Sequence, residues 1–485
     1  MSDPAPRLVV HGHFYQPPRL DPFTGTMPRD PTAAPAHDWN ERISADCYRP
    51  NAELGNLGAM SWDLGPTLAG WLELGDPIAY RGFVDGDAGA NGMAQPFHHA
   101  ILPFASAADR RTEVRWGLRD FELRFGRPAT GMWLPETAVD AETLRLLADE
   151  GVEYTILAPW QVDGGPSLDT RRPVRIGLGD GRSVVAVLYD AGLSTAASFD
   201  AAATVDADAF VRERVMPRFV TEDDAAGGLV VIATDGELYG HHHPYRDRFL
   251  ARLVGRTAPP DRPYATPRLA DAIAVAEAVG LPSAHLLERT SWSCHHGIAR
   301  WSGACSCVAD GEWKGPLRTA LDRLAGGIDA ATEQVAQRLS GDLDPWAARD
   351  AYIDVVVGRQ DPAAFAATWL GSAPDASAAA TLADLMEAQR WRLAMYASCA
   401  WFWETPDRIE TAGALRAAVR AARLIDAVAG TALEQRLLAD LALIRSIDGD
   451  GAVVDGAGLI RVALIAVGAT HAPENPSARG LRATG

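Results

Sequence analysis

Apolar and polar positions follow two different rhythms along this chain. Before residue 310, short apolar runs alternate with stretches of helical periodicity. The runs Leu8–Val10, Gly82–Val84, Thr130–Leu134, Tyr154–Leu157, Val184–Leu188 and Leu229–Ala233 are apolar nearly throughout. That is the pattern of a strand buried on both faces. Helical patterns such as Thr143–Asp149 and Ala207–Arg214 lie between them. The repeated strand–helix order predicts an α/β fold, as a parallel barrel or a doubly wound sheet.

After residue 310 the chain becomes alanine-rich and helix-periodic. Leu382, Leu385, Met386, Gln389, Leu393 and Tyr396 share one helical face, and Leu433, Leu437, Leu438, Leu441 and Ile444 share another. Pro316 suits a helix start ahead of Leu317, Leu321 and Leu324. An α-helical domain is therefore expected over 310–446, its periodic residues forming a core. The extension 447–485 is Gly/Pro-rich apart from Leu459–Val467, and its end is expected to be disordered.

Composition narrows the class. The 485 residues are 47% apolar and 22% charged, enough to bury a large core without disulfides. A net charge of −18 argues against a nucleic-acid surface and is compatible with a neutral ligand. The start MSDPAPRLVVHGH lacks the pattern of a signal peptide, and no apolar run is long enough to span a membrane. Five cysteines, an odd number, fit a reducing compartment, so a cytoplasmic protein is expected. The sequence carries no signal for oligomeric state.

Catalytic groups of α/β barrels and sheets sit at the C-terminal ends of parallel strands. Four segments place acids or histidines there. In LVVHGHFYQPPR, His11 and His13 follow an apolar run and point to the same side of an extended chain. In GANGMAQPFHHAILP, His98 and His99 border the same region. In GMWLPETAVD, Trp133, Leu134 and Pro135 lead into Glu136, an acid in an apolar and aromatic setting that can tune its pKa. In GLVVIATDGELYGHHHPYRDRF, the run Leu229–Ala233 ends in Asp235, with Glu237, Tyr239, His241, His242 and His243 behind it. Carboxylates on two separate strand ends suit glycoside chemistry, in which one attacks or assists at the anomeric carbon and the other protonates the leaving oxygen.

Fourteen tryptophans supply either core or faces on which sugars stack. Cys294, Cys305 and Cys307 lie beside His295 and His296, but the CxC spacing is not the CxxC of the usual zinc knuckle. Buried free thiols are the expectation there, and no metal or cofactor is called for.

Together these segments resemble glycoside hydrolase family 57, and a little-studied bacterial subgroup of it. HGHFYQPP is similar to the first family motif and GANGMAQPFHHAILP to the second. GMWLPETA matches the third, TDGELYGHHH the fourth, and TSWSCHHGIARW is similar to the fifth. MYASCAWFWETPDRIET resembles a stretch of the bacterial subgroup. The resemblance implies a (β/α)7 barrel over 1–309 and a helical domain over 310–446 that completes the cleft. It implies a retaining hydrolase or transglycosidase acting on α-glucans, with Glu136 as nucleophile and Asp235 as acid/base. Retention predicts carboxyls about 5–5.5 Å apart, and a raised pKa for Asp235. The residues expected to bind substrate are His11, His13, Gln16, His99, Trp133, Glu237, Tyr239, His241, Trp292 and Trp301. The partner implied is an α-glucan or oligosaccharide.

Two other classes remain open at this point. One is a metal-dependent polysaccharide deacetylase or mannosidase-like enzyme, with His11, His13 and Asp235 as ligands. The other is a catalytically inactive glucan-binding protein.

Overall fold

The computed structural model describes residues 6–164, 168–219, 228–371, 374–447 and 450–465. They fall into two compact units. The first comprises residues up to 16, 29–104 and 117–297; the second comprises 17–28, 105–116 and everything from Ile298 onward.

The first unit is built on parallel strands. β1 (Arg7–Phe14) lies between β2 (Ser61–Leu64) and β7 (Leu229–Asp235), and β3 (Gly92–Met93) extends the sheet beyond β2. β4 (Tyr154–Leu157) pairs in parallel with β6 (Ser183–Leu188), which also takes the antiparallel strand β5 (Val174–Gly177); β8 (Ser283–Ala284) lies beyond it. Two parallel bridges, Ala94 with Met132 and Gly131 with Tyr154, join the β3 edge to the β4 edge. On the other side the amide of Asp190 donates to the carbonyl of Val231 across 2.8 Å. These contacts arrange the staves as in a (β/α)7 barrel.

Alternation along each stave divides two cores. On β1, Leu8, Val10 and Phe14 point outward into a cluster with Trp62, Leu68, Phe83, Val230, Ile232 and Leu250. Burying each such side chain stabilises the unit by about 1.5–3 kcal/mol. Val9 points inward, where it meets Trp133, Tyr154, Ile156, Val185, Val187, Val231 and Ala233. The helix Ala107–Phe125 comes so close at Gly117 that a Cβ there would lie 1.8 Å from the carbonyl oxygen of Gln95. Only glycine permits that approach.

Several elements differ from the sequence reading. Gly82–Val84 is not a strand but part of the helix Pro77–Gly86. The buried Ala79, Phe83 and Gly86 are spaced by four and three residues, and the Asp76 side chain caps the amide of Ala79. Thr130–Leu134 contributes only the bridges at Gly131 and Met132. The helix expected over Ala207–Arg214 is α-helical to Phe210 and then widens into a π-turn over Val211–Val215. β2, β3, β5 and β8 were not anticipated. β2 and β3 are short, and Ser61 and Asp63 are polar because they face inward, which breaks the apolar signal.

The second unit is helical. Its long helices are Lys314–Leu339, Ala376–Ala394 and Ile409–Ala429, joined by Leu433–Leu441 and a small hairpin, Arg445–Ile447 with Val453–Asp455. Leu317, Leu321 and Leu324 are buried, as are Leu382, Leu385, Met386, Gln389 and Leu393. Pro316 is the third residue of its helix. Asp109, Arg349, Arg392 and Gln389 form a buried polar cluster edged by the half-buried Asp329: Arg349 reaches Asp109 at 2.9 Å, and Arg392 reaches Asp109 at 2.8 Å and Asp329 at 2.6 Å. The apolar stretch noted at Leu459–Val467 is helical over Gly456–Ile465. The disorder expected at the C-terminus lies outside the described residues. Among the described residues, no helix is long and apolar enough to cross a membrane.

Candidate active site

The site grows from the register of three staves. His13 on β1 stands opposite Asp63 on β2 and Asp235 on β7. His11, one pleat deeper, stands opposite Ser61 and Ala233. Period-2 alternation therefore brings five polar side chains, His11, His13, Ser61, Asp63 and Asp235, to the C-terminal end of an otherwise apolar interior.

Asp63 is the hub. It is wholly buried and takes His11 Nε2 on one oxygen and His13 Nδ1 on the other, each at 2.8 Å. The Gln95 amide also donates to it. The His13 charge and the two imidazole bonds hold the Asp63 carboxyl below its ordinary value, although burial works the other way. Burial also opposes the charge on His13. The Asp63 charge and hydrogen bond outweigh it, with help from Asp235 and Glu237, and carry His13 up to about 9. His11 is held below its ordinary value because burial exceeds the pull of Asp63.

These directions fix the protons. His13 is an imidazolium at neutral pH and donates Nδ1–H to Asp63. His13 Nε2 lies 3.2 Å from His99 Nε2. Burial and the neighbouring His13 charge keep His99 neutral, so His99 accepts there. His11 is neutral; it donates through Nε2 to Asp63 and accepts at Nδ1 from Ser61 Oγ at 3.0 Å. Both nitrogens of His11 are thus engaged by β2, and the set His11, His13 and Asp235 is not presented as a cluster of open metal ligands.

Glu136 is positioned by its backbone. Pro135 leads into a tight turn in which Glu136 and Thr137 have φ of 59° and 49°. Such left-handed conformations cost on the order of 1 kcal/mol or more and persist only when the surroundings enforce them. Gln161 does the enforcing. Its side-chain oxygen accepts from Thr137 Oγ1 and from the amide of Ala158, both at 2.8 Å, and its amide donates to the Thr137 carbonyl at 2.7 Å. The Glu136 carboxyl accepts from Ser293 Oγ at 2.6 Å and from Trp292 Nε1 at 3.2 Å. Lost solvation pushes this carboxyl above its ordinary value and the Asp235 charge adds to that; the Ser293 and Trp292 donors and His13 pull the other way. Asp235 and Glu136 therefore share one electrostatic environment.

Asp235 ends β7 with its side chain exposed, and Gly236 and Glu237 follow in a tight turn. A Cβ at Gly236 would lie 2.4 Å from the Phe14 ring, which explains glycine there. Glu237 turns back into the protein and accepts from Tyr48 Oη at 2.6 Å, and from the Tyr15 amide and the Gln16 side-chain amide, each at 3.3 Å. Burial pushes its carboxyl up to about 7, with Asp235 adding and Tyr48 opposing.

The remaining expected residues occupy varied places. Trp133 is fully buried and stacks at 5.0 Å on both His11 and His13, so it forms a floor with no open face. Trp292 is half-buried and meets Trp133 edge-on at 4.9 Å. Tyr15 stacks on His99 at 3.8 Å. Tyr239 is buried, with its hydroxyl 3.4 Å from Thr234 Oγ1. His241 pairs with Asp46 at 3.0 Å. Trp301 belongs to the second unit and is fully buried, its carbonyl accepting from Arg318. It offers no sugar a face.

Sequence reasoning missed Asp63, Gln95, Ser293, Gln161 and Tyr48. Gln161 stands four residues beyond the anticipated strand Tyr154–Leu157 but carries no charge to mark it, and the other four follow no anticipated strand. Trp160 was also missed; it is exposed, meets Tyr189 edge-on at 6.1 Å and donates to the Ser291 carbonyl at 2.9 Å.

Residues 92–258 match the profile of Glycosyl hydrolase family 57, and residues 310–454 match a domain of unknown function, DUF3536. Three solved structures share the fold. An exo-type maltose-forming amylase from Pyrococcus sp. ST04 is 16% identical with a TM-score of 0.70, covering 90% of this chain and 82% of its own. A family 57 branching enzyme from Pyrococcus horikoshii is 16% identical with a TM-score of 0.60, covering 95% and 94%. The α-amylase AmyC from Thermotoga maritima is 14% identical with a TM-score of 0.55, covering 94% and 99%. No curated protein matches the chain by sequence. The segment that matches the family 57 profile holds both Glu136 and Asp235.

Proposed function

We propose that this protein is a retaining glycosidase or transglycosidase that acts on α-1,4-linked glucose polymers through a covalent glycosyl-enzyme. The observation that carries the reading is Glu136. It is a carboxyl on a strained turn, clamped by two donors and sensing the charge of Asp235 across the barrel mouth. Among the solved structures that share the fold are two amylases and a branching enzyme, which supports glucans as the substrate class. Fold alone does not carry chemistry, so the reading rests on the two carboxyls.

In this mechanism Glu136 attacks the anomeric carbon while Asp235 protonates the leaving oxygen. Ser293 and Trp292 fix which oxygen of Glu136 is free: both donors engage Oε2, leaving Oε1 to attack. Asp235, at the exposed end of its strand, then takes a proton from the incoming water or sugar hydroxyl. His13 carries a positive charge beside both acids, and its bond to Asp63 keeps that charge in place. Tyr15 and Trp160 offer aromatic surface for the sugar.

The test is product analysis with maltoheptaose and amylose, following the first-formed anomer by NMR. Retained α-anomer, with activity abolished by Glu136→Gln and by Asp235→Ala, is the expected result. A β-anomer as first product, or full activity in either variant, overturns the proposal.

A further inference from the structure

The segment that follows Ser293 gathers four metal-ligating side chains. Cys294, His296, Cys305 and Cys307 each contribute one donor atom, and these atoms all lie within 4.8 Å of one another. All four belong to the single continuous run 294–307, so the constellation is local to one loop. None of the cysteines is in a disulfide. Tight turns fold the run: the Gly297 amide donates to the Cys294 carbonyl at 3.2 Å, and the Val308 amide donates to the Cys305 carbonyl at 2.9 Å. Gly297 has a φ of 74°, and a Cβ there would lie 2.4 Å from the Arg289 carbonyl oxygen.

We infer that Cys294, His296, Cys305 and Cys307 form a structural zinc site. Three thiolates and an imidazole are a closed tetrahedral zinc set, with no position left for substrate. Zn–S bonds of about 2.3 Å place tetrahedral sulfurs roughly 3.7–3.8 Å apart, so the observed group needs only slight contraction around the ion. Without a cation, three converging thiolates would repel, so the groups stay protonated thiols; with one, each thiol loses its proton and the thiolate charge is compensated. The CxC spacing, which argued against a zinc knuckle in the sequence, is accommodated because Cys294 and His296 complete the set.

The ion has a place in the architecture of the loop. Cys294 directly follows Trp292 and Ser293, the two residues that donate to Glu136. The zinc anchors the end of that donor segment. This consequence rests on the role proposed for Glu136; the metal content does not.

The test is elemental analysis of the full chain purified without added metal. One zinc ion per chain is expected, retained on dialysis and lost in the Cys305→Ser/Cys307→Ser double variant. Cys399→Ser, outside the run, keeps the metal. Replacement of the ion in the wild-type protein by cobalt(II) is expected to give thiolate charge-transfer bands and the visible bands of a tetrahedral site, a readout independent of variant folding and of glucan turnover. Metal-free protein from zinc-supplemented cells, a disulfide among these cysteines, or a cobalt spectrum without thiolate bands overturns the proposal. Zinc present in a protein inactive on every glucan upholds the site and sinks only the glucan reading.

Discussion

Trp292 grips Glu136 at two points. Its backbone amide donates to the Glu136 carbonyl at 3.1 Å, and its indole Nε1 donates to the Glu136 carboxyl at 3.2 Å. One residue thus fixes both the strained backbone and the reactive side chain of the other.

Removing a donor from the Glu136 carboxyl should weaken its anion. A hydrogen bond to a charged group is worth about 1.5–3 kcal/mol, or roughly ten- to a hundredfold in rate. Ser293→Ala and Trp292→Phe should each lower kcat/KM within that range, Ser293→Ala the more, because its bond is shorter. Both should also raise the pH at which activity appears on the acid side. The kcat/KM–pH profile checks this; an unmoved acid limb with unchanged rate would contradict it.

The charge on His13 should be visible in stability. Its pKa is raised to about 9 in the folded protein. A histidine raised above its unfolded value of about 6.5 contributes stability that is full below that value and is lost as pH climbs through 9. The size is on the order of 3 kcal/mol, and it depends on Asp63. Thermal unfolding followed from pH 6 to pH 9.5 should show this decline in the wild type. Asp63→Asn should flatten it.

Glu237 works in the opposite sense for an acid. Its carboxyl is raised to about 7 by burial. The folded protein therefore holds a proton that the unfolded chain has released, so stability falls as pH rises from about 4.5 to 7. Glu237→Gln keeps the group neutral at every pH. The difference between variant and wild type in urea unfolding should grow by up to a few kcal/mol across that window and then level off.

In the helical unit, Asp109 answers two buried guanidiniums. Asp109→Ala leaves Arg349 and Arg392 short of their shared partner, which should cost about 3–5 kcal/mol. A urea midpoint lowered accordingly in the full chain is the expected result. A change below ~1 kcal/mol would mean that Asp329 and Gln389 suffice to hold both arginines.

The legible parts of this fold are those whose burial is uniform. Val184–Leu188 and Leu229–Ala233 show as strands because both faces are covered, and Leu382 to Leu393 shows as a helix face because one side alone is buried. β2 did not show, because its inward residues are the polar Ser61 and Asp63. Gly82–Val84 misled because Gly82, Phe83 and Val84 read as a short apolar run, while the helix was signalled only by Pro77 and the capping Asp76.

The candidate site divides in the same way. Glu136, Asp235 and His13 stand directly after apolar runs and could be found by position. Ser293, Gln161 and Tyr48 lie in loops or helices remote in sequence from the acids they serve. Their roles exist only as distances. The fully buried Trp133 and Trp301 show the converse: an aromatic beside a motif reads as a platform until its exposure is known.

Gly117 carries no chemistry, yet its bare Cα touches the backbone of Gln95, whose amide holds Asp63, which in turn sets the charge of His13. A methyl group added there would be transmitted down that line as a change in acidity rather than in shape. The acidity at the barrel mouth therefore depends on a helix position that belongs to neither carboxyl's own strand or turn.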